Sequence, residues 1–486
     1  MKLTVSEIMA ATQARGDVRA FLSPEEAPVT TVTADSRKAG PGALFCCLPG
    51  SRVDGHDFAA QAVAQGTRAV LAHRELPEIS DRAAVLVVPD VLAAMGLLAR
   101  FWRRRTRAVV AALSGSAGKS TAKEFLAAIA ARLAPSIKNP GNFNNQLGLP
   151  LSMLAASEEH RLWVLELGIS RPGDMEELAA VCEPDLAVVH NIGPAHLEGL
   201  GDLAGVARAK AALFGFVREG GAAVANIDYP ELWEAALAAN PEVLPMSTRR
   251  SDVPFYCRYL GCGENGRGRY HLVLQGEAMD VELACRGEHL AENVLAAAAA
   301  ANILNATPDQ IAAGLAEASP LPRRFDVTGE GGFTVIDDTY NANPLSMQAA
   351  IEAARKLAAG TGTAAGESGE QPLVLVLGEM GELGPEAGRA HEELGECIAR
   401  GGCRVVFFKG DQASQVARGL ESGGYAGEFH PVQSPEDFAG RMEAMGLSEA
   451  TVLFKGSRSQ RMEDFVERFR DRLRAKAGTG KKEEGQ

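Results

Sequence analysis

The segment Arg107–Leu133, RAVVAALSGSAGKSTAKEFLAAIAARL, constrains this chain more than any other. A β-favouring apolar run, Val109–Leu113, enters Ser114-Gly115-Ser116-Ala117-Gly118-Lys119-Ser120-Thr121, and an amphipathic helical stretch leaves it. Small residues let the backbone curl so that several N–H groups face one anion. The helix N-terminus adds partial positive charge, Lys119 a full charge, and the Ser120 hydroxyl a ligand for Mg²⁺. A strand, a glycine turn and a helix in this order demand an α/β fold with the loop at a strand's C-terminal edge. The usual pattern has a glycine five positions before the second glycine, and here that position is Leu113. The loop is therefore a variant of the triphosphate-holding turn.

A chain of 486 residues exceeds one ordinary domain and suggests about three. With 49 basic and 62 acidic residues the net charge is −13, which disfavours nucleic acid as a partner. No apolar run is long enough to predict membrane insertion, and Met1–Gln13 does not resemble a signal peptide. Eight scattered cysteines without a C-x-x-C pair read as reduced thiols in the cytoplasm.

Residues 1–106 form a first unit, with strand-like Ala43–Leu48 and Ala69–Ala72, a helix over Ala59–Gly66, and Gly50-Ser51-Arg52-Val53-Asp54-Gly55-His56 between them. The cluster Arg103-Arg104-Arg105 reads as a linker or a solvated helix end. Residues 107–318 alternate strands at Leu162–Glu166, Leu186–His190 and Ala222–Asn226 with helical stretches, the pattern of a mainly parallel sheet. Glycines and short β-like pieces over residues 251–285 suggest an insertion or sheet extension, and Ala291–Ala301 is helical. Ser319-Pro320-Leu321-Pro322 opens a third unit, residues 319–475, with strands at Thr334–Asp338, Leu373–Leu377, Val405–Phe408 and Thr451–Lys455 and helices at Ser346–Ala358 and Arg389–Arg400. That order predicts a doubly wound domain. Gly360–Gln371 reads as a loose loop and residues 476–486 as a disordered tail.

Chemistry-bearing residues gather at the predicted strand ends. Glu166 ends one strand and is placed to hold a metal. Asn191-Ile192-Gly193-Pro194-Ala195-His196 follows another. Lys210, in a helical stretch, reads on its own as a solvated lysine. In the third unit Asp337-Asp338-Thr339-Tyr340-Asn341-Ala342-Asn343-Pro344, Gly378-Glu379-Met380-Gly381-Glu382-Leu383-Gly384 and Lys455-Gly456-Ser457-Arg458 all follow strands. The two cations of the last suit a carboxylate or phosphate. Each segment alone is also compatible with ordinary turn chemistry.

Taken in order, these motifs resemble the Mur ligases of bacterial cell-wall synthesis. The loop with Lys119-Ser120-Thr121, Glu166-x-Gly168, Asn191-Ile192-Gly193-x-x-His196, Lys210 and Asn293 is similar to that family's ATP centre. Lys138-Asn139-Pro140-Gly141-Asn142-x-Asn144-Asn145-x-x-Gly148-x-Pro150, Tyr340-Asn341-Ala342-Asn343-Pro344 and Leu377-Gly378-x-Met380-x-Glu382-Leu383-Gly384 resemble its D-alanyl-D-alanine-adding branch.

The resemblance implies a small α/β UDP-sugar-binding domain, a central P-loop parallel-sheet ATPase domain and a C-terminal Rossmann-like domain. It implies a monomer that uses ATP and Mg²⁺ to join D-alanyl-D-alanine to UDP-N-acetylmuramoyl-tripeptide. Gly115, Ser116, Ala117, Gly118, Lys119, Ser120 and Thr121 would hold the phosphates, Asn293 the adenine, Arg324 the γ-phosphate and Asp338 the ribose side. Ser120, Glu166, His196 and Lys210, the last carbamylated, would serve the metal, with Lys119, Glu166, His196, Lys210 and Arg324 as catalytic residues. Ser36, Arg37, Asn142, Asn144, Asn145, Tyr340, Asn341, Asn343, Lys455, Ser457 and Arg458 would contact the other substrates.

Three positions depart from the family pattern: Ser114 and Ala117 in the loop, and Ala211-Ala212 after Lys210. Rival readings are the ligase adding the third amino acid, whose Asp-Asn-Pro-Arg run is absent here, a folylpolyglutamate synthase, and a nucleotide-gated scaffold without ligation.

Overall fold

The computed structural model describes residues 1–16, 28–50, 53–263, 266–319, 321–360 and 371–483, with side chains to residue 475. Ser51, Arg52, Pro320 and residues 361–370 of the expected loop lie outside them.

Three sheets form in chain order. The first has four parallel strands, Thr31–Thr33, Ala43–Cys46, Ala69–Ala72 and Ala84–Val87, side by side in sequence order. Ala43–Cys46 and Ala69–Ala72 are buried at every position, as unbroken apolar runs in a parallel sheet require.

The helix Val91–Arg105 then crosses to the second unit. Here the arginine cluster departs from expectation. All three arginines are helical, and Arg103 is 1% exposed rather than solvated. Its guanidinium donates to the carbonyls of Cys182, Ala108 and Glu183 and to Asp185 Oδ2 at 2.6–3.1 Å. Carbonyls at the end of the helix Asp174–Cys182, left without intrahelical donors, explain why a cation is held there.

The second sheet has nine strands. From one edge they run Glu277–Leu283, Gly268–Leu274, Phe255–Cys262, Leu244–Ser247, Ala222–Asn226, Leu186–Val189, Val109–Ser114, Leu162–Glu166 and Ser136–Lys138. The first three pair antiparallel, so the irregular region is a sheet extension; the other pairings are parallel. Register fixes the site: Leu113 lies opposite Glu166, and Ser114 opposite Val189. The phosphate loop thus leaves the sheet between Glu166 and the segment His190-Asn191, where the chain changes direction across the sheet. Behind it, the helix Ala291–Ile303 is buried along Asn293–Ala301, its alanines admitting close approach of the loop helix Lys119–Leu133.

The third sheet orders its strands Asp326–Glu330, Phe333–Asp338, Ala450–Lys455, Leu373–Gly378, Val405–Lys409 and Glu428–Pro431. Only the first pairing is antiparallel, and separate apolar cores cover the two faces, as in a doubly wound fold. The last helix, Met462–Glu483, runs on into the segment read from the sequence as a tail. No helix among the described residues is long and apolar enough to cross a membrane, and none of the eight cysteines is in a disulfide.

Candidate active site

The phosphate loop is tightly fitted. Gly118 takes φ 71°, and a Cβ there would lie 2.1 Å from Asn293 Oδ1, so only glycine is tolerated. A Cβ on Gly115 would meet the His190 ring at 2.6 Å. The amides of Ser116 and Ala117 donate to Asn191 Oδ1 at 2.9 and 3.0 Å, and the Ser116 hydroxyl exchanges hydrogen bonds with Gly193. Lys119 folds back to donate to the Gly115 carbonyl at 3.0 Å. Burial pushes its ammonium pKa down, Glu166 pulls it up, and Arg324 pushes it down again. Asn293 Oδ1 is buried without a donor, an orphan acceptor against the loop.

Glu166 is 2% exposed. Its Oε2 accepts from the Ser120 hydroxyl at 2.8 Å and its Oε1 from Asn144 Nδ2 at 2.7 Å, while Lys123 Nζ stands 3.8 Å off. Asn139 clamps the Glu166 backbone, accepting from its N–H and donating to its carbonyl, each at 2.9 Å. A hydroxyl and a carboxylate side by side are hard oxygen donors, which fit Mg²⁺ completed by water and phosphate. Together with the glycine cradle and the orphan Asn293 acceptor, the residues fit an Mg²⁺-nucleotide.

His196 and Lys210 are placed differently. His196, in the left-handed region at φ 56°, pairs through Nδ1 with Glu382 of the third unit. Among the described residues no group of three His, Cys, Asp or Glu side chains forms a metal cluster. Lys210, read from its own segment as solvated, is 1% exposed on the helix Leu203–Ala211. Apolar packing of that helix turns it inward, and burial drives its pKa well down, reinforced by Lys119 and opposed by Glu166.

The third unit reaches the loop at two points. Asn343 caps the helix Pro344–Ala358 through Oδ1 and donates from Nδ2 to the Ser116 carbonyl at 3.0 Å. Arg324 donates to Ser120 Oγ at 3.0 Å and stacks over Tyr340, 4.0 Å from the ring centroid. It sits between two left-handed residues, Arg323 and Phe325, at φ 61° and 55°, a strained turn that aims the guanidinium. Asp338 anchors that turn, accepting from the Phe325 amide at 3.2 Å and from Lys455 Nζ at 2.6 Å. Burial pushes the Asp338 carboxyl up and Lys455 pushes it down. Lys455 also donates to the Asn341 carbonyl, Asn341 Oδ1 accepts from the Arg458 amide, and Ser457 donates to the Glu379 carbonyl at 2.6 Å.

Other expected substrate residues have local partners. Asn145 Oδ1 accepts from the Leu147 and Gly148 amides at a helix start, and Asn142 is exposed. Ser36 meets Gln61, and the exposed Arg37 pairs with Asp35 at 2.8 Å. Asp35 is held down at about 2 by that arginine.

Sequence reasoning missed a cavity of about 160 Å³ beside the loop helix, lined by Thr121, Phe125, Cys285, His289, Arg324 and Phe325. Both His289 ring nitrogens are out of solvent and unpartnered, and the ring lies 4.6 Å from that of Phe325. Burial lowers the His289 pKa to about 4, so the ring is neutral. The signal was present: Gly287-x-His289 directly precedes the alanine helix that carries Asn293. A larger surface cavity, about 430 Å³ between Arg100, Arg104, Glu183 and Arg218, holds none of the candidate residues, and Glu183 engages Arg100 and Arg104.

Comparison with known proteins agrees with this geometry. A Mur ligase family catalytic domain matches residues 28–103, a Mur ligase middle domain residues 113–301, and a Mur ligase, glutamate ligase domain residues 323–458. The chain is 34% identical to a UDP-N-acetylmuramoyl-tripeptide--D-alanyl-D-alanine ligase of Escherichia coli, covering 90% of this chain and 92% of that protein. It is 30% identical to the enzyme of the same name from Bacillus subtilis, covering 91% and 93%. Its structure is similar to crystal structure I of MurF from Acinetobacter baumannii, with TM-score 0.85, 29% identity and coverage of 97% and 99%. A MurF ligase of Thermotoga maritima in complex with ADP matches with TM-score 0.79 at 28% identity, covering 92% and 99%. Three domains matched in chain order, with relatives alike over nine-tenths of their length, establish that the chain belongs to the Mur ligase family.

Proposed function

We propose that this chain is an ATP-dependent ligase that joins the amine of D-alanyl-D-alanine to the terminal carboxylate of UDP-N-acetylmuramoyl-tripeptide, the last cytoplasmic step in making the pentapeptide precursor of peptidoglycan. One observation carries the reading: the Ser120 hydroxyl of the phosphate loop is held between Glu166 of its own sheet and Arg324 of the third unit. Two domains therefore converge on the point where a γ-phosphate and its metal would lie.

A carboxylate is a poor electrophile and must first be activated. Its oxygen attacks the γ-phosphorus of ATP, the bond to the β-phosphate oxygen breaks, and an acyl phosphate and ADP result. The amine then attacks the acyl carbon, inorganic phosphate leaves, and the amine proton is lost. Ser120 and Glu166 would hold Mg²⁺, which when bound would neutralise charge on the phosphates. Lys119 and Arg324 spread the charge of the transferring group, and loop amides orient it. The Tyr340 ring under Arg324 keeps the guanidinium flat and aimed. Contacts of Asn343, Arg324 and Glu382 across the boundary exclude water from the acyl phosphate. Asn293 and His289 line the adenine side, and the third-unit segments around Tyr340, Asn341 and Lys455-Gly456-Ser457-Arg458 receive the dipeptide. Ser36 and Arg37 face the UDP-sugar.

Lys210 is buried, and burial with Lys119 nearby lowers its pKa toward the neutral amine, the state that adds CO₂ to give a carbamate and a proton. The new carboxylate would lie near the Mg²⁺ that Ser120, Glu166 and His196 would serve. Assay in CO₂-depleted buffer is expected to lower turnover, with bicarbonate restoring it. Unchanged turnover, with an intact mass free of added CO₂, would exclude the carbamate.

The deciding assay is phosphate release from ATP–Mg²⁺ and UDP-N-acetylmuramoyl-tripeptide with and without D-alanyl-D-alanine. Release that requires the dipeptide, with a product heavier by one dipeptide less water, is expected. Release driven by another amino acid would overturn the substrate, and none with any amine would overturn ligation.

A further inference from the structure

Glu292 takes no part in the chemistry above, yet it sits on the same helical turn as Asn293 at the back of the phosphate loop. Its Oε2 accepts from Asn191 Nδ2 at 3.0 Å, and its Oε1 from the Tyr229 hydroxyl at 2.7 Å and more distantly from Asn226 Nδ2 at 3.4 Å. Asn191 passes the contact on, since its Oδ1 accepts from the amides of Ser116 and Ala117. An unbroken chain of hydrogen bonds therefore runs from Tyr229 through Glu292 and Asn191 to the loop backbone.

The direction of that chain is set by chemistry. A side-chain amide has a donor end and an acceptor end of nearly equal shape, and either can face either way. An ionised carboxylate only accepts, so it draws the Asn191 NH₂ group to itself and turns the carbonyl oxygen toward the loop. Reversed, the amide would set its NH₂ against two backbone N–H groups and leave three donors facing one another, a cost no buried site bears cheaply. The carboxylate also lies in the first turn of the helix Ala291–Ile303, where the helix dipole favours negative charge.

We propose that Glu292 is a positioning residue for nucleotide binding: its carboxylate fixes the orientation of the Asn191 amide and thereby holds the Ser116–Ala117 half of the phosphate loop in its binding shape. The proposal rests on the reading of the loop as a nucleotide site. Glutamine at 292 keeps the size and both Tyr229 and helix contacts, but it can donate as well as accept, so the lock on Asn191 is lost.

The test is calorimetric titration of the full chain with ADP–Mg²⁺ at about pH 8, well above the ordinary carboxyl range, because burial pushes the Glu292 carboxyl up while its bonds from Asn191 and Tyr229 pull it down. Glu292→Gln is expected to weaken ADP by about tenfold and to raise KM for ATP by a similar factor, with kcat and the nucleotide-free Tm little changed. Hydrogen exchange at the Ser116 and Ala117 amides is expected to accelerate in the same variant. Tyr229→Phe, which leaves the Glu292–Asn191 contact in place, is expected to bind ADP nearly as the wild type does. If Glu292→Gln proves too unstable to titrate, Asn191→Ser, whose side chain cannot reach both loop amides and Glu292, carries the same expectation for ADP. Unchanged ADP affinity and amide exchange in the tested variant would overturn the proposal, as would an equal loss in Tyr229→Phe. Failure of the wild type itself to bind ADP would instead overturn the nucleotide reading on which it rests.

Discussion

Lys119→Ala is expected to give a folded protein whose dipeptide-dependent phosphate release falls by about 10³-fold, or about 4 kcal/mol of transition-state stabilisation. The size follows from where the ammonium is. Lys119 begins the loop helix, is held against Gly115, and feels Glu166 and Arg324 together. In phosphoryl transfer there is little covalent work for the protein, so a cation aimed at the moving charge carries much of the rate. Arg324 remains in the variant, which is why some activity survives. The stability effect has the opposite sign from the catalytic one. Without nucleotide the ammonium is desolvated and close to a second cation, so its removal leaves Tm unchanged or slightly raised. ADP–Mg²⁺ should raise the Tm of the wild type through linkage and that of the variant much less. Kinetics and thermal shifts on one preparation check both; phosphate release within tenfold of wild type would remove Lys119 from the site.

What could be read from the chain depended on whether the signal was local. The phosphate loop, the strand ends at Glu166, Asp338 and Lys455, and the alternation of strands with helices are properties of neighbouring residues, and the structure has them in place. The strands Asp326–Glu330 and Glu428–Pro431 were not legible, because both are short, polar edge strands that bury little. Partners distant in sequence were invisible as well: nothing near Glu292 announces Asn191, and nothing near His196 announces Glu382. Lys210 shows the same limit. Its own segment carries no mark of burial, which comes from tertiary packing that brings it near Lys119 and Glu166, while likeness to a family did single it out. Arg103 was misread for a subtler reason. Charge favours solvent, yet Arg103 falls one helical turn after the buried Ala99 and beside the buried Trp102, so periodicity put it on the packed face.

That placement gives the second large effect. Arg103→Met is expected to lower stability by about 3–5 kcal/mol, whereas Arg104→Ala and Arg105→Ala should each cost about 1 kcal/mol or less. The three arginines are consecutive, and the contrast isolates burial from charge. Arg104 and Arg105 are exposed and pair at the surface with Glu183 and Glu7. Arg103 is enclosed, and its removal orphans the carbonyls of Ala108, Cys182 and Glu183 while leaving Asp185 without its nearest cation. Methionine fills much of the volume, so the loss reports polar groups left unpaired rather than a cavity. Arg218, 3.6 Å from the other Asp185 oxygen, compensates only in part because it is half exposed. These contacts tie the helix closing the first sheet's unit to the second, so the variant should lose cooperativity between them. A drop in Tm on the order of 10 °C, with the first unit becoming protease-sensitive earlier than the second, is the expected observation. Equal, small shifts in all three variants would mean that the enclosed guanidinium contributes no more than its surface neighbours.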